Sequence, residues 1–226
     1  MTIVHEERPS DSPYIESVTR GRTLSSGSTI RPAECHWHMV FSTYQGVAHP
    51  LVVGPLSSAG EVSWGGDAEI LWVKFKLGTY MPHLPVKDFR DTEHLLPDAS
   101  SRRFWLHGTA WQLPDFDNVE TFVDRLVKDD ALALDILVNE ALQDQLLDVP
   151  PRTLRHRFLH TTGLPQNHIR QFERAKQAAA LLREGIPILD AVYELGYFDQ
   201  PHLTRSLKRF VGLTPAQLLP NAQSTA

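Results

Sequence analysis

Two short helices joined by a glycine turn are predicted for residues 188–210, and no other segment constrains the fold of this chain as strongly. Gly196 predicts the end of the first helix, because glycine adopts the left-handed conformation of a helix C-terminus without steric cost. Asp199 is placed to cap the second helix, and Pro201 is tolerated in its first turn. The sequence therefore predicts two helices that meet at a tight turn.

The second helix has an apolar and a polar face. Leu203, Leu207 and Phe210 recur at helical spacing, which predicts the buried side. The opposite side carries polar and basic residues, namely Gln200, His202, Arg205, Ser206, Lys208 and Arg209. A short basic helix after a tight turn is typical of helices that enter the major groove of DNA.

The basic charge of the chain is concentrated at its C-terminal end. The whole chain has 22 Lys and Arg against 27 Asp and Glu, a net charge of -5. From Pro150 onwards there are ten Lys and Arg against five Asp and Glu. An acidic body joined to a basic C-terminal part favours a polyanionic partner for that part.

A longer motif surrounds the second helix. It consists of Leu195-Gly196-Tyr197, Asp199-Gln200, His202-Leu203-Thr204-Arg205, Lys208-Arg209-Phe210 and Gly212-Leu213-Thr214-Pro215. In this motif the chain resembles the AraC/XylS family of bacterial transcription regulators. Upstream, Arg152 to Phe158, Thr162 to Pro165 and Ile169 to Arg183 are similar to the family's first recognition helix, the loop after it and the long joining helix. The resemblance covers about 80 residues and implies two helix-turn-helix units that bind successive major grooves.

The resemblance also implies which side chains contact DNA. Arginine pairs with guanine through two hydrogen bonds, and glutamine pairs with adenine in the same way. The base-contacting residues are Arg152, Arg155 and His156 in the first unit and Gln200, His202 and Arg205 in the second. Phosphate contacts, which position the helices without reading sequence, are expected from Arg157, Thr204, Lys208 and Arg209.

Two residues depart from the family pattern in the first unit. Asp144 falls where the family has a small residue in a packed helix, and Asp148 falls where it has a turn glycine. These departures predict a first unit that binds more weakly or packs differently. The second unit is therefore expected to carry most of the sequence recognition.

The N-terminal part is predicted to be rich in strands. Short apolar stretches between Ile30 and Phe75 are separated by Gly and Pro, which favours a small barrel or sandwich. Residues 31–127 resemble, less specifically, the cupin-like sensor domains that precede such DNA-binding units, which implies effector binding or dimerisation. The similar segments are Arg31 to Cys35, Val53-Gly54-Pro55, Val73-Lys74-Phe75, Leu84-Pro85-Val86 and Asp88-Phe89.

The fold is therefore predicted as α+β in three parts. Residues 1–30 are expected to form a flexible arm and residues 31–130 a cupin-like barrel for sensing or dimerisation. Residues 131–226 are expected to form an all-α domain of two helix-turn-helix units joined by a long helix. Helical spacing also predicts a helix before this domain, with one face formed by Val119, Phe122, Val123, Leu126 and Val127.

Several side chains of the N-terminal part invite a functional hypothesis. Aromatic side chains that are candidates to line an effector pocket, with core packing as the alternative, are Trp64, Trp72, Trp105 and Trp111. Histidines that suggest a metal site are His36, His38, His49 and His83. Because no carboxylate or third histidine stands at a defined spacing, no metal or other cofactor is predicted. Cys35 is interpreted as either a reactive thiol or an inert apolar side chain.

These features predict a cytoplasmic, sequence-specific DNA-binding transcription regulator that is not an enzyme. The expected partners are double-stranded DNA, a small-molecule effector, RNA polymerase and a second copy of the chain. No membrane span is predicted, because no apolar run approaches about 20 residues. Two alternatives stay open: an enzyme on a cupin scaffold, and an interaction protein that keeps the helix-turn-helix domain but has lost its DNA affinity.

Overall fold

The computed structural model describes residues 3–142 and 148–220, and the statements of structure below concern these residues. The N-terminal part is built mainly from strands. They are β1 (Ile3–Pro9), β2 (Ile15–Thr23), β3 (Gly27–Arg31), β4 (His38–Tyr44), β5 (Val47–Val53), β6 (Gly60–Trp64), β7 (Ala68–Phe75), β8 (Thr79–Tyr80), β9 (Glu93–Leu95), β10 (Asp98–Ser100), β11 (Arg103–Leu106), β12 (Thr109–Gln112) and β13 (Ala133–Leu134).

Two helices lie among these strands and the others follow them. The first two are α1 (Val86–Phe89) and α2 (Val119–Lys128). The C-terminal helices are α3 (Ile136–Leu142), α4 (Pro151–Thr162), α5 (Gln166–Arg183), α6 (Ile188–Glu194), α7 (Gln200–Phe210) and α8 (Pro215–Leu218). The predicted division into a β-rich N-terminal part and a helical C-terminal part is confirmed.

The largest sheet has six antiparallel strands in the order β1-β2-β7-β4-β5-β9. The sheet has two faces, and the side chains of β7 alternate between them. Leu71, Val73 and Phe75 are buried on the first face, whereas Ile70 and Trp72 are half-buried on the second. The first face packs on α2, where the rings of Phe41 and Phe122 meet with 5.8 Å between their centres. The apolar face predicted for α2 is confirmed by its four buried residues, Val119, Phe122, Val123 and Leu126.

The second core is formed by the helices. α5 lies at its centre and contacts α6, α7 and α8. Its small residues Ala175 and Ala178 are fully buried, which lets neighbouring helices approach closely. Leu203 and Leu207 of α7 are also fully buried in this core.

The flexible arm predicted for residues 1–30 is wrong for residues 3–30, which form β1, β2 and most of β3. β2 lies inside the six-stranded sheet, where Ile15, Val18 and Thr23 are fully buried. A register irregularity between Ile15 and Ser17 breaks the regular alternation that would predict a strand. The polar composition of this segment reflects its exposed side.

The predicted cupin-like barrel is not observed as a closed structure in the described residues. The six-stranded sheet has two edges, β1 and β9. β3 and β6 pair with each other as a separate two-stranded ribbon, which faces the second side of the sheet across a cavity. The prediction of a strand-rich N-terminal part is confirmed. The closure of these strands into a barrel stays a prediction.

The N-terminal part ends later than the predicted boundary at residue 131. Ala131 and Leu132 are buried in the first core, and β13 pairs with β8. In the other direction, Ala33 and Cys35 of the N-terminal part are buried in the second core. The two parts therefore share a packed contact.

Candidate nucleic-acid interface

The caps and core contacts of α7 hold its polar side outward. α6 ends before Gly196, whose φ of 65° is the left-handed conformation predicted for it. The carboxylate of Asp199 accepts a hydrogen bond from the backbone N–H of His202 at 2.7 Å, so the predicted N-cap is confirmed. Because Leu203 and Leu207 are buried, the opposite face of the helix lies at the surface.

This outward face carries side chains that were expected to contact DNA. Gln200, Arg205 and Lys208 are exposed, whereas His202 and Thr204 are half-buried. The hydroxyl of Thr204 donates to the carbonyl of Gln200 at 2.9 Å, so this donor is used inside the helix. The ring of His202 packs edge-on against Tyr197, with 5.2 Å between the ring centres. The face offers one amide and two cations to an anionic groove.

Arg209 differs from its neighbour Lys208 because it has contacts within the chain. Its guanidinium lies 5.0 Å from the ring centre of Phe210. Its Nη2 lies 3.4 Å from Nδ1 of His168. Burial and the charge of Arg209 lower the pKa of His168, which favours the neutral ring that can accept this hydrogen bond. Lys208 is thus the freer of the two candidates for a phosphate contact.

α4 presents the other residues predicted to contact bases. Arg152, Arg155 and His156 are exposed, and their spacing places them on one side of the helix. Arg157 is instead paired, because its Nη1 lies 3.2 Å from a carboxylate oxygen of Asp135. Only 5% of the Asp135 side chain is exposed, so this contact joins α4 firmly to the segment before α3.

The N-terminal part holds the C-terminal end of α4. The indole Nε1–H of Trp37 donates to the carbonyl of Thr161 at 2.8 Å, and Arg90 donates to the carbonyl of Gly163 at 3.0 Å. The last carbonyls of a helix have no partner inside the helix, so these donors complete their hydrogen bonding. Gly163 also packs closely, since a Cβ there would lie 3.2 Å from Val86.

The C-terminal end of α7 is held in the same way. The backbone N–H of Ala33 donates to the carbonyl of Phe210 at 2.8 Å, and that of Ala59 donates to the carbonyl of Arg209 at 2.7 Å. The N-terminal part therefore contacts the C-terminal ends of both helices and leaves Arg152, Arg155, Gln200 and Arg205 exposed.

Only one of the two residues that depart from the family pattern lies among the described residues. Asp144 lies outside the described residues. Asp148 is exposed, and it is not among the described residues with positive φ, which are the positions where glycine is favoured. Asp148 itself therefore does not adopt the left-handed conformation of a turn glycine.

The four tryptophans predicted for an effector pocket do not lie together. Trp64 and Trp72 line the cavity between the ribbon and the six-stranded sheet. Trp111 is buried in the first core, and its indole N–H donates to the carbonyl of Leu106 at 3.0 Å. Trp105 is 45% exposed on the other side of the small sheet, because neighbouring positions on β11 and β12 alternate in direction. Of the four, Trp64 and Trp72 therefore share this cavity, whereas Trp111 follows the alternative of core packing and Trp105 lies at the surface.

A charge cluster surrounds the buried side chain of His36. Its two ring nitrogens lie 2.8 Å from a carboxylate oxygen of Glu34 and 3.1 Å from one of Glu16. Lys74 contacts the same two carboxylates. Burial raises the pKa of Glu16, but hydrogen bonds from His36 and Lys74 outweigh it and bring that pKa to about 2. No group of three or more side chains placed to hold a metal occurs among the described residues.

Cys35 is enclosed between the two parts of the chain. The thiol is buried, and burial followed by the charge of Glu34 raises its pKa well above the usual range. Since the thiolate is the reactive form, the geometry favours the interpretation of Cys35 as an apolar packing residue.

The structure adds one candidate that sequence reasoning missed. Phe198 is 92% exposed and directly precedes Asp199, the N-cap of α7. It therefore lies at the end of α7 where the predicted base contacts begin. Its only signal in the sequence is an aromatic residue in a turn.

Comparison with known proteins gives matches for the C-terminal part. A family model described as a helix-turn-helix domain matches residues 145–221, which include α4 to α8. The HTH-type transcriptional regulator VirS of Mycobacterium tuberculosis, from strains CDC 1551 / Oshkosh and ATCC 25618 / H37Rv, is 42% identical over 79 residues in each case. These residues are 34% of this chain and 23% of the relative, so the chain matches about a quarter of the length of these curated relatives. No solved structure matches the chain.

None of the helices in residues 3–142 and 148–220 has both the length and the apolar character of a membrane span.

Proposed function

We propose that this protein is a sequence-specific DNA-binding transcription regulator whose helices α4 and α7 bind successive major grooves of one duplex. The observation that carries the proposal is the outward face of α7, an N-capped helix with a buried apolar side and exposed Gln200, Arg205 and Lys208. It lies in the segment that matches a helix-turn-helix domain. The description of the relatives as transcriptional regulators supports the same function.

In the proposed complex the two helices divide the contacts by type. Base edges are contacted by Arg152, Arg155 and His156 of α4 and by Gln200, His202 and Arg205 of α7. Phosphates are contacted by Arg157, Thr204, Lys208 and Arg209. Lys208 can contact a phosphate without giving up another contact. Arg157 must break its ion pair with Asp135 or contact that carboxylate and the phosphate together.

The length of α5 supports binding to two grooves. It has 18 residues, which at 1.5 Å each gives a spacer of about 27 Å. Successive major grooves on one face of B-DNA are about 34 Å apart, so a spacer of this length between α4 and the α6–α7 pair suits binding to two successive grooves.

The N-terminal part is proposed to respond to an effector. It contacts the C-terminal ends of both DNA-binding helices through Trp37, Arg90, Ala33 and Ala59. A change in its shape would therefore alter the relative placement of α4 and α7. Its excess of acidic residues keeps it away from the DNA phosphates.

The function is tested by selecting duplexes from a random-sequence library with the full-length protein and measuring affinity at two salt concentrations. A specific complex is expected, and its affinity should fall by orders of magnitude between about 50 and 200 mM salt because several phosphates are contacted. Failure to select any preferred sequence would overturn the proposal.

Two variants of α7 separate base reading from phosphate binding. Arg205→Ala should lose about 1–3 kcal/mol of discrimination at one base pair. Lys208→Ala should weaken binding to all sequences about equally and reduce the salt slope by about one. The assignment of roles is wrong if both variants change sequence preference in the same way.

A further inference from the structure

A cavity lies between the second face of the six-stranded sheet and the β3–β6 ribbon. Its volume is about 650 Å³, and its apolar wall includes Val40, Leu51, Val53, Val62 and Trp64. A second cavity of about 640 Å³ adjoins it. The residues that line both are Ile3, Thr29, Trp64, Ile70 and Trp72. We call the two together the sheet–ribbon pocket.

The sheet–ribbon pocket contains one buried polar side chain with an unused hydrogen-bonding atom. His38 lines the pocket, shares a strand face with Val40 and is only 1% exposed. Its Nδ1 lies 2.8 Å from Nε1 of Trp72, and Nε2 has no partner among the described residues. A buried polar atom without a partner is unfavourable, so this nitrogen requires a partner such as a ligand atom or a water molecule.

The contact with Trp72 determines which atom of His38 carries the proton. An indole N–H can only donate, so Nδ1 of His38 must accept and is therefore unprotonated. Burial lowers the pKa of His38 to about 3, which keeps the ring neutral. The proton of the neutral ring is then on Nε2, which is a buried, unpartnered donor of a side chain that lines the pocket.

The charges around the pocket do not favour an anionic ligand. Its cations are Lys74, which is paired with Glu34 and Glu16, and Arg31, which is paired with Glu93. A carboxylate or phosphate would therefore find no unpaired cation in the described lining. A polyol is a poor fit to the part of the pocket lined by Val40, Leu51 and Val53, where its hydroxyl groups would lie against apolar side chains.

We propose that the sheet–ribbon pocket binds a small, mainly apolar ring compound that carries one neutral hydrogen-bond acceptor, such as a carbonyl oxygen. The acceptor receives the Nε2–H of His38, and the ring packs between Trp64 and Trp72. This assignment deepens the proposed regulatory function and rests on it only for the consequence of binding, since the pocket itself is defined without reference to DNA.

The wall of the pocket also contacts the end of α7. Ile30 lines the pocket and packs against Gly212, where a Cβ would approach the Ile30 side chain to 2.2 Å. Three residues later, Ala33 donates to the carbonyl of Phe210. A ligand that moves this segment of the wall therefore moves a direct contact of α7.

Equilibrium dialysis of the full-length protein with two matched probes tests the proposal. 2-Acetylnaphthalene carries a carbonyl acceptor, and 2-isopropenylnaphthalene has the same shape with a methylene group in its place. Saturable binding of one ketone per chain is expected. His38→Met keeps a weak acceptor for Trp72 but has no donor, so the ratio of the two dissociation constants should shift against the ketone by about fivefold.

Two further variants keep the test decisive if His38→Met does not fold, which circular dichroism detects. His38→Gln provides an amide oxygen for Trp72 and an N–H for the ligand, and should retain the ketone preference. Ser42→Phe fills the pocket and should abolish binding of both probes. Absence of saturable ketone binding, an unchanged ratio in folded His38→Met or retained binding in Ser42→Phe overturns the proposal. The dialysis contains no DNA, so its failure is distinguishable from failure to bind an operator.

Discussion

The two helices proposed to bind DNA are held by different kinds of contact. α7 has a side-chain N-cap and lies inside the helical core, where it contacts α5, α6 and α8. α4 begins at Pro151 without a side-chain cap hydrogen bond and contacts α1, α3 and β8. Its ion pair with Asp135 and its hydrogen bond from Trp37 come from outside the C-terminal bundle.

This difference shows where regulation can act. Both helices pack in the second core and both are contacted by the N-terminal part at their C-terminal ends. The contacts to α4 come from the side chains of Trp37 and Arg90, whereas those to α7 are backbone hydrogen bonds from Ala33 and Ala59, so a change of one side chain in the N-terminal part should affect the α4 half of an operator more than the α7 half. Effects on one half or the other can be measured on the operator selected with the wild-type protein.

The largest effect is expected from Leu207→Ala. Leu207 is fully buried in the second core, and removing its side chain leaves a cavity that should cost about 2–5 kcal/mol of unfolding free energy. Urea denaturation measures this loss. Leu189→Ala on α6, where the side chain is 57% exposed, is the matched control and should change stability by less than about 0.5 kcal/mol. Equal losses in the two variants would mean that α7 is not fixed by this core.

The next effect separates α4 from α7. Trp37→Phe removes the donor to Thr161 and should cost about 1–3 kcal/mol of stability. Because that donor fixes the end of α4, the affinity of the α4 half-site should fall while that of the α7 half-site is retained. Mobility-shift titrations with each half-site altered in turn measure both affinities.

Trp111→Phe is the matched control for this experiment. It also removes an indole N–H that donates to a backbone carbonyl in the first core, but its partner, Leu106, is not part of a DNA-binding helix. Its stability should fall by a similar amount with no change in the α4 half-site. A loss at both half-sites in Trp37→Phe alone would contradict the separate positioning of the two helices.

A smaller effect, confined to α7, is expected from the loss of its cap. Asp199→Ala removes the acceptor for the N–H of His202 and should cost about 1 kcal/mol of stability. Asp199→Asn keeps an acceptor and removes only the charge, so it controls for repulsion from phosphate. The α7 half-site should weaken in Asp199→Ala relative to Asp199→Asn, as measured by fluorescence anisotropy. No difference between them would show that the cap does not order the DNA-facing end.

The sequence predicted the elements whose signals are local. Gly196 and Asp199 mark the turn and cap of α7 through their own backbone chemistry, and the structure places both as predicted. The helical spacing of Val119, Phe122 and Leu126 predicted α2 for the same reason. Each of these patterns depends on contacts within a few residues, so no knowledge of the rest of the chain is needed.

Features that depend on distant partners were not predictable. β1 and β2 were expected to be a flexible arm because their residues are mostly polar, and β2 is a strand because β7 pairs with it 50 or so residues later. The ion pair of Arg157 was not predictable for the same reason, since its partner Asp135 lies outside α4 and restricts the availability of Arg157 for DNA. Trp111 was a candidate for either an effector pocket or the core, because sequence spacing does not show which face of β12 the core covers.

Phe198 is the candidate contact with the smallest expected effect. Its ring is 92% exposed beside the N-terminus of α7, where it can pack on a thymine methyl group or a sugar. Phe198→Ser should leave unfolding free energy within about 0.5 kcal/mol of wild type, because an exposed ring has little packing to lose. It should weaken the α7 half-site by about 1 kcal/mol, or about fivefold, because the apolar area is buried only in the complex. Trp105→Thr, which removes an exposed ring from the N-terminal part, should leave DNA affinity unchanged. If both variants lower affinity equally, or neither does, Phe198 is an exposed ring without a role at the DNA, and recognition by α7 is confined to its polar residues.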